Sequence, residues 1–331
     1  MKKMQYWSDD NNFGDALNPY IQRAFGIKAK CSPAEYADFI CIGSSMERLL
    51  ANSLVSHYIS DDPIEVFSTG FHFPVGEHKW YKNITFPERF ARNVNIRALR
   101  GKLSLQRAEA ALGTSLNNVV LGDGGLLTSL IFDSAKEKKY RLGIIAHMTE
   151  KKHPIFKAIQ KNIKNSIILD IYSTPDRFIK KLTQCEAIIS TALHPIIVSD
   201  SYGIPNMWIN LSKDSNISMY KFSDYYSVFN QEARFFDLNT HDFTEKDLEA
   251  LKKNYSIKMD DVLKIQESLI QAHPYSKTIT KLTFPHILYL NSRRIMRTAY
   301  RLIPHIKTSK RLRKPHRIFE FLTPFLYDVI S

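Results

Sequence analysis

Cysteine is scarce in this chain of 331 residues, which contains three. Cys31, Cys41 and Cys185 are odd in number and far apart, so they form neither a disulfide framework nor the paired spacing of a zinc site. A reducing compartment is therefore expected. The sequence also lacks a D-x-D beside a strand, an H-E-x-x-H helix and a Walker loop. No metal is predicted.

Long apolar runs are also missing. No stretch of 18 apolar residues occurs, and so no membrane-spanning helix is predicted. The opening M-K-K-M-Q-Y-W-S-D-D turns acidic before an apolar stretch forms, which is not the pattern of a signal peptide. These features predict a cytoplasmic protein. With 44% hydrophobic and 24% charged residues, the chain has room for two domains, each with its own core.

The order of short apolar runs and helical stretches predicts an α/β fold. In the first 135 residues the two alternate, which is the rhythm of a doubly wound parallel sheet. The polar segment Lys136–Lys139 is a predicted linker, and a second series of strands starts at Tyr140. We therefore predict two Rossmann-like domains, 1–137 and 138–272, that face each other across a cleft. Residues 273–331 are predicted to form a basic amphipathic tail.

Helix signals in the first half predict two helix starts. Asn18 is placed to cap a helix that has Pro19 at its first position, with Gly26 just beyond its end. Further on, Ser44 and Glu47 have the spacing of a capping box.

One histidine stands at a strand-to-helix corner. The segment S-T-A-L-H-P-I-I-V-S-D-S-Y-G-I-P-N follows the predicted buried strand Cys185–Ser190, with Pro195 at the first helical position and Gly203 past the last turn. His194 then lies at the carboxyl edge of the sheet, where open α/β sheets bind ligands. The helix start disfavours positive charge, so a neutral imidazole there can take up and return a proton. The alternative is a packed histidine whose ring bonds to a backbone carbonyl.

Two arginines and a second histidine also follow predicted strands. Arg97 and Arg100 lie between a strand and a helix, and the guanidinium fork suits phosphate and carboxylate groups. They could equally be solvated arginines at a strand end. His147 ends the first strand of the second half and is a secondary candidate for binding in the same cleft. Packing of the ring at the strand end is its alternative.

Three glycine turns complete the set of candidates. In the first, Gly14 between Asn12 and Asp15 lets the backbone approach a ligand, although an ordinary Asx turn explains the pattern equally well. In the second, backbone N–H groups at Gly43 and Ser44 can hold an anion, or the serine can simply cap a helix.

The third turn, Gly122–Gly125, contains Asp123 and leaves room for a ligand. For its two later glycines, a plain tight turn is the simpler interpretation.

Together, six segments resemble the polysaccharide pyruvyltransferases in content and order. They are N-F-G-D-A-L-N at Asn12–Asn18, I-G-S at Ile42–Ser44, I-R-A-L-R-G at Ile96–Gly101, L-G-D-G-G-L-L at Leu121–Leu127, the histidine segment Ser190–Asn206 and K-F-S-D-Y-Y at Lys221–Tyr226.

The resemblance implies a glycosyltransferase-B-like fold and transfer of the enolpyruvyl unit of phosphoenolpyruvate onto a sugar diol as a cyclic ketal. The acceptor would be a surface polysaccharide or its lipid-linked precursor. Phosphoenolpyruvate would be a co-substrate, with no cofactor. The resemblance favours His194 as acid or base, Arg100 as ligand of the donor anion and Asp15 as the group that orients the acceptor. The alternatives are a nucleotide-sugar glycosyltransferase of surface glycan synthesis and a non-catalytic scaffold at the membrane.

Charge is concentrated near the end of the chain. The net charge is +13, and ten Lys or Arg residues but no Asp or Glu lie between Arg293 and Arg317. An aromatic and apolar cluster follows, as far as Tyr327. Basic residues beside aromatic ones suit an anionic membrane surface, so the protein is expected at the inner face of the cell membrane. A solvated helix that closes over the first domain is the plain alternative. Nucleic acid is not favoured as a partner, because no nucleic-acid-binding motif accompanies the run.

Overall fold

The computed structural model describes residues 1–8, 12–51, 62–75, 88–211 and 216–302, without the side chains of 216–218 and 295–302. The chain divides into two units, Met1–Thr280 and Lys281–Ser331. The first unit contains two parallel sheets, and the second begins with a helix. The predicted α/β class is therefore confirmed. The domain boundaries predicted at 137 and 272 stay a prediction.

The first sheet is built from the first 121 residues. Its six strands are all parallel and lie in the order β2-β1-β3-β4-β5-β6. Both residues of β3 and most of β4 are buried, as expected for strands that are covered on both faces. The strands are β1 (Lys2–Gln5), β2 (Ala29–Cys31), β3 (Phe39–Ile40), β4 (Ile64–Thr69), β5 (Val94–Leu99) and β6 (Val120–Leu121).

The second sheet follows the predicted linker. Its five parallel strands lie in the order β11-β10-β9-β7-β8. The predicted strand Cys185–Ser190 is confirmed to the residue as β9, because its apolar run is bounded by polar segments on both sides. The strands are β7 (Tyr140–Ile145), β8 (Ser166–Ile168), β9 (Cys185–Ser190), β10 (Asn206–Asn210) and β11 (Phe235–Asp237).

Helices cover the sheets and carry much of the site. In the described part of the chain they are α1 (Phe13–Ala24), α2 (Lys102–Leu112), α3 (Thr128–Ile131), α4 (Ile155–Asn162), α5 (Pro175–Leu182), α6 (Leu193–Ser201), α7 (Asn216–Tyr226), α8 (Glu245–Asn254), α9 (Met259–Ala272) and α10 (Phe284–Leu302). Among these described helices, none is both long and apolar enough to cross a membrane.

The core beneath the site is apolar and aromatic. Residues of α6 and α7 pack in one cluster with Trp208 of β10, whose ring stacks on Phe222 at a centroid distance of 4.1 Å. This contact holds α7 against the second sheet. At the start of α1, Phe13 stacks on Phe178 of α5 at 4.0 Å, and its backbone N–H donates to Ile171. A helix that follows a strand of the first sheet is thus attached to elements of the second half.

The predicted start of the first helix is wrong. α1 begins at Phe13, because the side chain of Asn12 accepts a hydrogen bond from the N–H of Gly14 and caps the helix. Pro19 therefore lies inside the helix. Asn18 is buried, and its amide donates to backbone carbonyls, including that of Ile42 after β3 at 3.0 Å. The glycine predicted beyond the helix end, Gly26, does adopt a positive φ of 77°.

The predicted capping box at Ser44 and Glu47 is also wrong. A short 3-10 helix, Met46–Leu49, starts there without a side-chain cap. Tertiary partners occupy both side chains: the Ser44 hydroxyl accepts from Arg100 at 2.6 Å, and a Glu47 carboxylate oxygen accepts from backbone N–H groups after β4. Local spacing alone could not reveal these distant partners.

Candidate functional site

The candidate site lies where the carboxyl ends of strands from both sheets approach one another. Gly43 and Ser44 follow β3, Arg100 follows β5, His147 follows β7 and His194 follows β9. Contacts between these segments, described below, join the two halves of the first unit. Ligands of open parallel sheets bind at this edge.

His194 lies in the first turn of α6. The helix begins at Leu193, so Pro195 is its third residue, and the prediction that proline comes first is wrong. Proline is tolerated there because N–H groups of a first helical turn have no partner within the helix. Gly203, predicted beyond the helix end, adopts a positive φ of 63°. His194 is therefore fixed at the start of a buried helix.

The imidazole of His194 packs directly against Gly14. A Cβ atom added at Gly14 would lie 2.1 Å from its Nδ1. The glycine is thus required for the close approach of the N-F-G-D segment to the histidine. The other ring nitrogen, Nε2, is buried and has no hydrogen-bond partner among the described residues.

Burial lowers the pKa of His194 to about 3, with further contributions from the charges of Arg100 and Lys221. The ring is therefore neutral near pH 7. The sequence prediction of a neutral imidazole rested on the helix start, whereas the main cause in the structure is desolvation.

Asn12 and Asp15 flank Gly14 at the start of α1. The Asn12 amide donates to the Asp15 carboxylate at 3.3 Å. A Cβ atom added at Gly43 would lie 3.2 Å from Asp15 Oδ1, and Gly43 has a positive φ of 122°. The structure therefore brings Asn12, Gly14, Asp15 and Gly43 together, and Gly14 joins this group to His194. The Asx contact from Asn12 to Gly14 is present as well.

Arg100 is buried, with its side chain 1% exposed. Its guanidinium donates to Asp224 of α7 at 2.9 Å, to the Ser44 hydroxyl at 2.6 Å and to the backbone carbonyl of Phe71 at 2.6 Å. It therefore links the ends of β3, β4 and β5 to α7. Three of these four elements are strands of the first sheet, and the ion pair with Asp224 reaches a helix of the second half.

Gly101 explains why a glycine follows this arginine. A Cβ atom there would lie 1.7 Å from the backbone oxygen of Asp224, so α7 could not approach. Ser104 of α2 also binds the Asp224 carboxylate, through its N–H at 2.8 Å and its hydroxyl at 2.5 Å. The R-G pair, Arg100 and Gly101, therefore packs directly against Asp224 of the K-F-S-D-Y-Y segment.

Arg97 is not brought to this cluster. Its side chain is 46% exposed and pairs with Glu65 of the neighbouring strand at 2.9 Å. Arg97 and Arg100 are three positions apart along an extended segment, so their side chains leave opposite faces. Arg97 lines a separate open pocket with Asn117 and Lys277.

Asp123 is fully buried and has a structural partner. Its Oδ1 accepts from the N–H of Gly125 at 2.8 Å and so caps the 3-10 helix Gly124–Leu127. Its Oδ2 has no hydrogen-bond partner within the described part of the chain. Burial raises the pKa of Asp123 to about 6, and the charge of Arg100 opposes this rise. A Cβ atom at Gly125 would lie 2.9 Å from Ile197, so protein packing against α6 fills the space at this glycine.

His147 lies two residues beyond β7. Its backbone N–H donates to the Thr191 hydroxyl at 2.7 Å, and its Nδ1 lies 2.8 Å from the Thr149 hydroxyl. Burial and the charge of Lys221 lower the pKa of its ring to about 4. His147 is therefore neutral near pH 7 and is held close to the strand that leads to His194.

Two residues without a predicted role complete the cluster. Lys221 of α7 is half-buried and makes no hydrogen bond or ion pair with the described residues. Burial and the charge of Arg100 lower its pKa to about 8, whereas Asp15 and Glu150 oppose the shift. His72 follows β4, and burial together with the charges of Lys221, Arg100 and His147 lowers its pKa well below the ordinary value.

The sequence offered a signal for one of these two. Lys221 opens the K-F-S-D-Y-Y segment, three residues before Asp224, and three positions on a helix share a face. His72 belongs to none of the segments and could not be singled out.

This arrangement suits an anionic ligand and proton transfer. It combines three neutral imidazoles, a partly buried lysine and a buried arginine at the meeting edges of two sheets. In the described residues, no group of His, Cys, Asp or Glu has the arrangement of a metal site.

Comparison with known sequences identifies the family. A sequence profile of the polysaccharide pyruvyl transferase family matches residues 6–213. This is more than half of the chain, and the chain belongs to that family.

A curated protein of Acanthamoeba polyphaga mimivirus, described as uncharacterized, is 31% identical to this chain over 144 residues. The aligned part is 40% of this chain and 48% of that protein, so the chain spans about half the length of this relative.

Proposed function

We propose that this protein transfers the enolpyruvyl unit of phosphoenolpyruvate to a sugar diol and closes it as a cyclic ketal. The acceptor is a surface polysaccharide or its lipid-linked precursor. Membership of the polysaccharide pyruvyl transferase family supports the reaction class. The chemistry of the site supports the donor, because phosphoenolpyruvate carries a phosphate and a carboxylate.

The observation that carries the proposal is the set of imidazoles and cations at the meeting strand ends. A dianion bound there would contact groups that are partly removed from water, where charge interactions are strong. The charges of Arg100 and Lys221 both lower the pKa of His194, so an anion bound to these cations would lie close to the imidazole. Donor and acid–base group would therefore be neighbours.

In the proposed reaction, the enol carbon of the donor is protonated and a sugar hydroxyl adds to the resulting cation. The C–O bond to phosphate then breaks, phosphate leaves with the electron pair, and the second hydroxyl closes the ketal. His194 serves as base or acid through Nε2. The donor's negative charge opposes the charges of Lys221 and Arg100, which raises the basicity of the ring when the donor is bound.

Arg100 and Asp15 have the supporting roles. A guanidinium has more N–H donors than the three contacts of Arg100 use, so it can still bind the donor anion while it holds the two halves together. Asp15 lies beside Gly43 and can accept a hydrogen bond from an acceptor hydroxyl. Asn12, Gly14, Ser44, His147 and Asp123 shape or line the same region, whereas Arg97 is placed elsewhere.

The proposal includes a glycosyltransferase-B-like arrangement of two Rossmann-like domains, 1–137 and 138–272. Two parallel sheets, one in each range, support it. Contacts such as Gly14 with His194 and Arg100 with Asp224 occur between the ranges, as expected for a cleft lined by both.

We also propose that the protein acts at the inner face of the cell membrane, without a cofactor and without nucleic acid as a partner. The predicted basic segment up to Tyr327 lies largely outside the described residues. The support is the charge of the sequence and, on α10, the exposed apolar side chains of Phe284 and Leu288. A lipid-linked acceptor would be found at such a surface.

A ligand panel tests the donor. The full-length protein is heated with phosphoenolpyruvate and, separately, with nucleotide sugars, and unfolding is followed. A ligand at a hundredfold its dissociation constant adds about 2.7 kcal/mol to the free energy of unfolding. We expect stabilisation by phosphoenolpyruvate alone. Stabilisation by a nucleotide sugar alone would identify a glycosyltransferase instead.

A further inference from the structure

Hydrogen bonds hold the backbone of the loop after β4 on both sides of His72. The Phe71 N–H donates to Ser104 at 3.1 Å. The N–H groups of His72 and Phe73 both donate to one carboxylate oxygen of Glu47, at 2.6 and 3.0 Å.

The carbonyls of this loop are bound as well. Phe71 accepts from Arg100, and Phe73 accepts from Arg107. Of the loop's three side chains, those of Phe71 and Phe73 are buried, and His72 between them is half-buried. The backbone that carries this one polar side chain is therefore fixed.

The ion pair that holds this loop requires two charges to be buried. Glu47 and Arg107 form a buried ion pair at 3.2 Å, with side chains 7% and 2% exposed. Buried ion pairs contribute little net stability, because both charges must be removed from water. A rigid backbone at His72 is what this pair provides.

His72 follows Phe71, whose carbonyl accepts from Arg100, and Arg100 pairs with Asp224, three residues after Lys221 on α7. The charges of Lys221, Arg100 and His147 all act on its ring, and Lys221 acts on His147 in turn. Lys221 is also affected by Asp15, Glu150 and Glu47, which face it from the first and second halves. His194 responds to the same two cations, Arg100 and Lys221. A histidine of the first half, a histidine of the second half and a lysine of α7 thus form one electrostatic cluster.

We propose that His72 and His147, together with Lys221, bind the phosphate group of the donor, and that an imidazole takes up a proton when this dianion binds. The inference rests on the proposed function for the identity of the donor. It assigns His72, which lies outside every sequence motif, to the binding site.

Proton uptake is expected because a bound dianion changes the electrostatic potential at the two imidazoles from positive to negative. Without a ligand, burial and neighbouring cations keep both imidazoles neutral near pH 7. A bound dianion favours the charged form and raises the pKa of each ring. By linkage, a ligand that binds with uptake of one proton loses affinity about tenfold for each unit of rising pH. Lys221, with a pKa of about 8, is already charged at about pH 6.5, so uptake there comes from an imidazole.

Calorimetry on the full-length protein tests this proposal. Sulfate is the first probe, because it stays a dianion and exchanges no proton itself, whereas a phosphate ester has a second pKa near 6. Phosphoenolpyruvate is the second. Each is titrated at about pH 6.5 in two buffers with different ionisation enthalpies, which gives the number of protons taken up. The variant is His72→Asn, and the matched control is His241→Asn, an exposed histidine of the loop after β11.

We expect a measurable fraction of a proton to be taken up by the wild type and a smaller fraction by His72→Asn. The variant should bind both anions about tenfold more weakly, or worse, since hydrogen bonds to charged groups are strong. The control should match the wild type. The proton count on the wild type is independent of any folding defect in the variant.

The outcomes separate this inference from the proposed function. Tight binding of phosphoenolpyruvate without proton uptake, and unchanged in His72→Asn, overturns the inference and leaves the donor in place. Proton-coupled binding of sulfate, with phosphoenolpyruvate bound no more tightly than sulfate, upholds the anion subsite and removes the donor assignment. If neither anion binds, the inference is wrong.

Discussion

Two buried polar clusters share the helices α6 and α7, and they differ in how their polar groups are satisfied. At one end, both carboxylate oxygens of Asp200 accept hydrogen bonds, from Asn206 at 2.5 Å, from Tyr255 at 2.8 Å and from Tyr225 at 2.7 Å. At the other end, the Nε2 of His194 is buried with no partner among the described residues.

This difference indicates a structural role for the Asp200 cluster and a ligand-binding role for the His194 cluster. A buried carboxylate with all its partners holds elements together, and here it joins α6, β10 and α7. A buried nitrogen without a hydrogen-bond partner lowers the free energy of unfolding. A ligand that bonds to this nitrogen would offset that loss. We therefore interpret the Asp200 cluster as a structural joint that positions the His194 cluster.

Replacing His194 gives the largest expected effect. In His194→Ala, turnover on a working acceptor, measured as phosphate released from phosphoenolpyruvate, should fall by roughly 10² to 10⁴, the range for loss of a positioned acid or base. Near pH 7, where the ring is neutral, thermal unfolding should change little, because Nε2 makes no hydrogen bond within the described residues that the protein would lose. Full turnover in the variant would show that the histidine is structural.

Replacing Asp200 should lower stability and leave turnover unchanged, the reverse of the result expected for His194. Asp200→Asn keeps the shape but places an amide N–H₂ against groups that now donate to a carboxylate, which should lower the free energy of unfolding by about 1–3 kcal/mol. Denaturant unfolding measures this, with Asp237→Asn, a carboxylate near the surface of β11, as the control. Turnover per folded molecule should be retained. A stable variant that has lost turnover would reverse the roles of the two clusters.

The two clusters should also respond to pH with opposite signs. Burial raises the pKa of Asp200 from 3.8 to about 6, so the folded state prefers the protonated acid and this group's contribution falls as pH rises from about 4 to about 6. The pKa of His194 falls from 6.5 to about 3, so its contribution falls as pH drops below about 6.5.

The stabilities of Asp200→Asn and of His194→Ala, each relative to wild type, should therefore drift in opposite directions between about pH 4 and pH 6. Each slope is at most about 1.4 kcal/mol per pH unit. Parallel slopes would show that one of the two groups is not desolvated.

Arg97 should give the smallest effect. Its exposed pair with Glu65 is of the kind that contributes about 0–1 kcal/mol, and it lies away from the cluster. Arg97→Ala should leave donor affinity unchanged in a binding titration, and a large loss of affinity would mean that the donor site extends to this face of the sheet.

Much of the fold could be predicted from local patterns. The strand Cys185–Ser190 is a short apolar run bounded by polar residues, and Gly113 and Gly203 end helices with positive φ because few other residues accept that conformation. Helix starts were less predictable. Ser44 and Glu47 have capping spacing, but distant groups bind both side chains.

The candidate site was predictable where residues form local motifs. His194, Gly14 and Asp15 belong to such motifs, and the structure places them together. His72 becomes part of the site only through contacts between halves of the chain that are distant in sequence, so no local pattern marks it. Lys221 does lie in a local motif, K-F-S-D-Y-Y, but the motif alone does not show that α7 meets the strand ends of the first sheet. Arg97 illustrates the reverse case, since its place beside Arg100 in sequence does not place it beside Arg100 in space.

Binding of phosphoenolpyruvate to Lys221→Gln and Asp200→Asn tests the central claim most directly. Calorimetric titration at a temperature where both variants are folded should show affinity lower by about tenfold or more in Lys221→Gln, because a charged partner of the anion is lost. Asp200→Asn should bind as the wild type does. Weak binding by Asp200→Asn together with unchanged binding by Lys221→Gln would contradict the account, because the anion would then depend on the satisfied cluster and not on the imidazoles and cations at the strand ends.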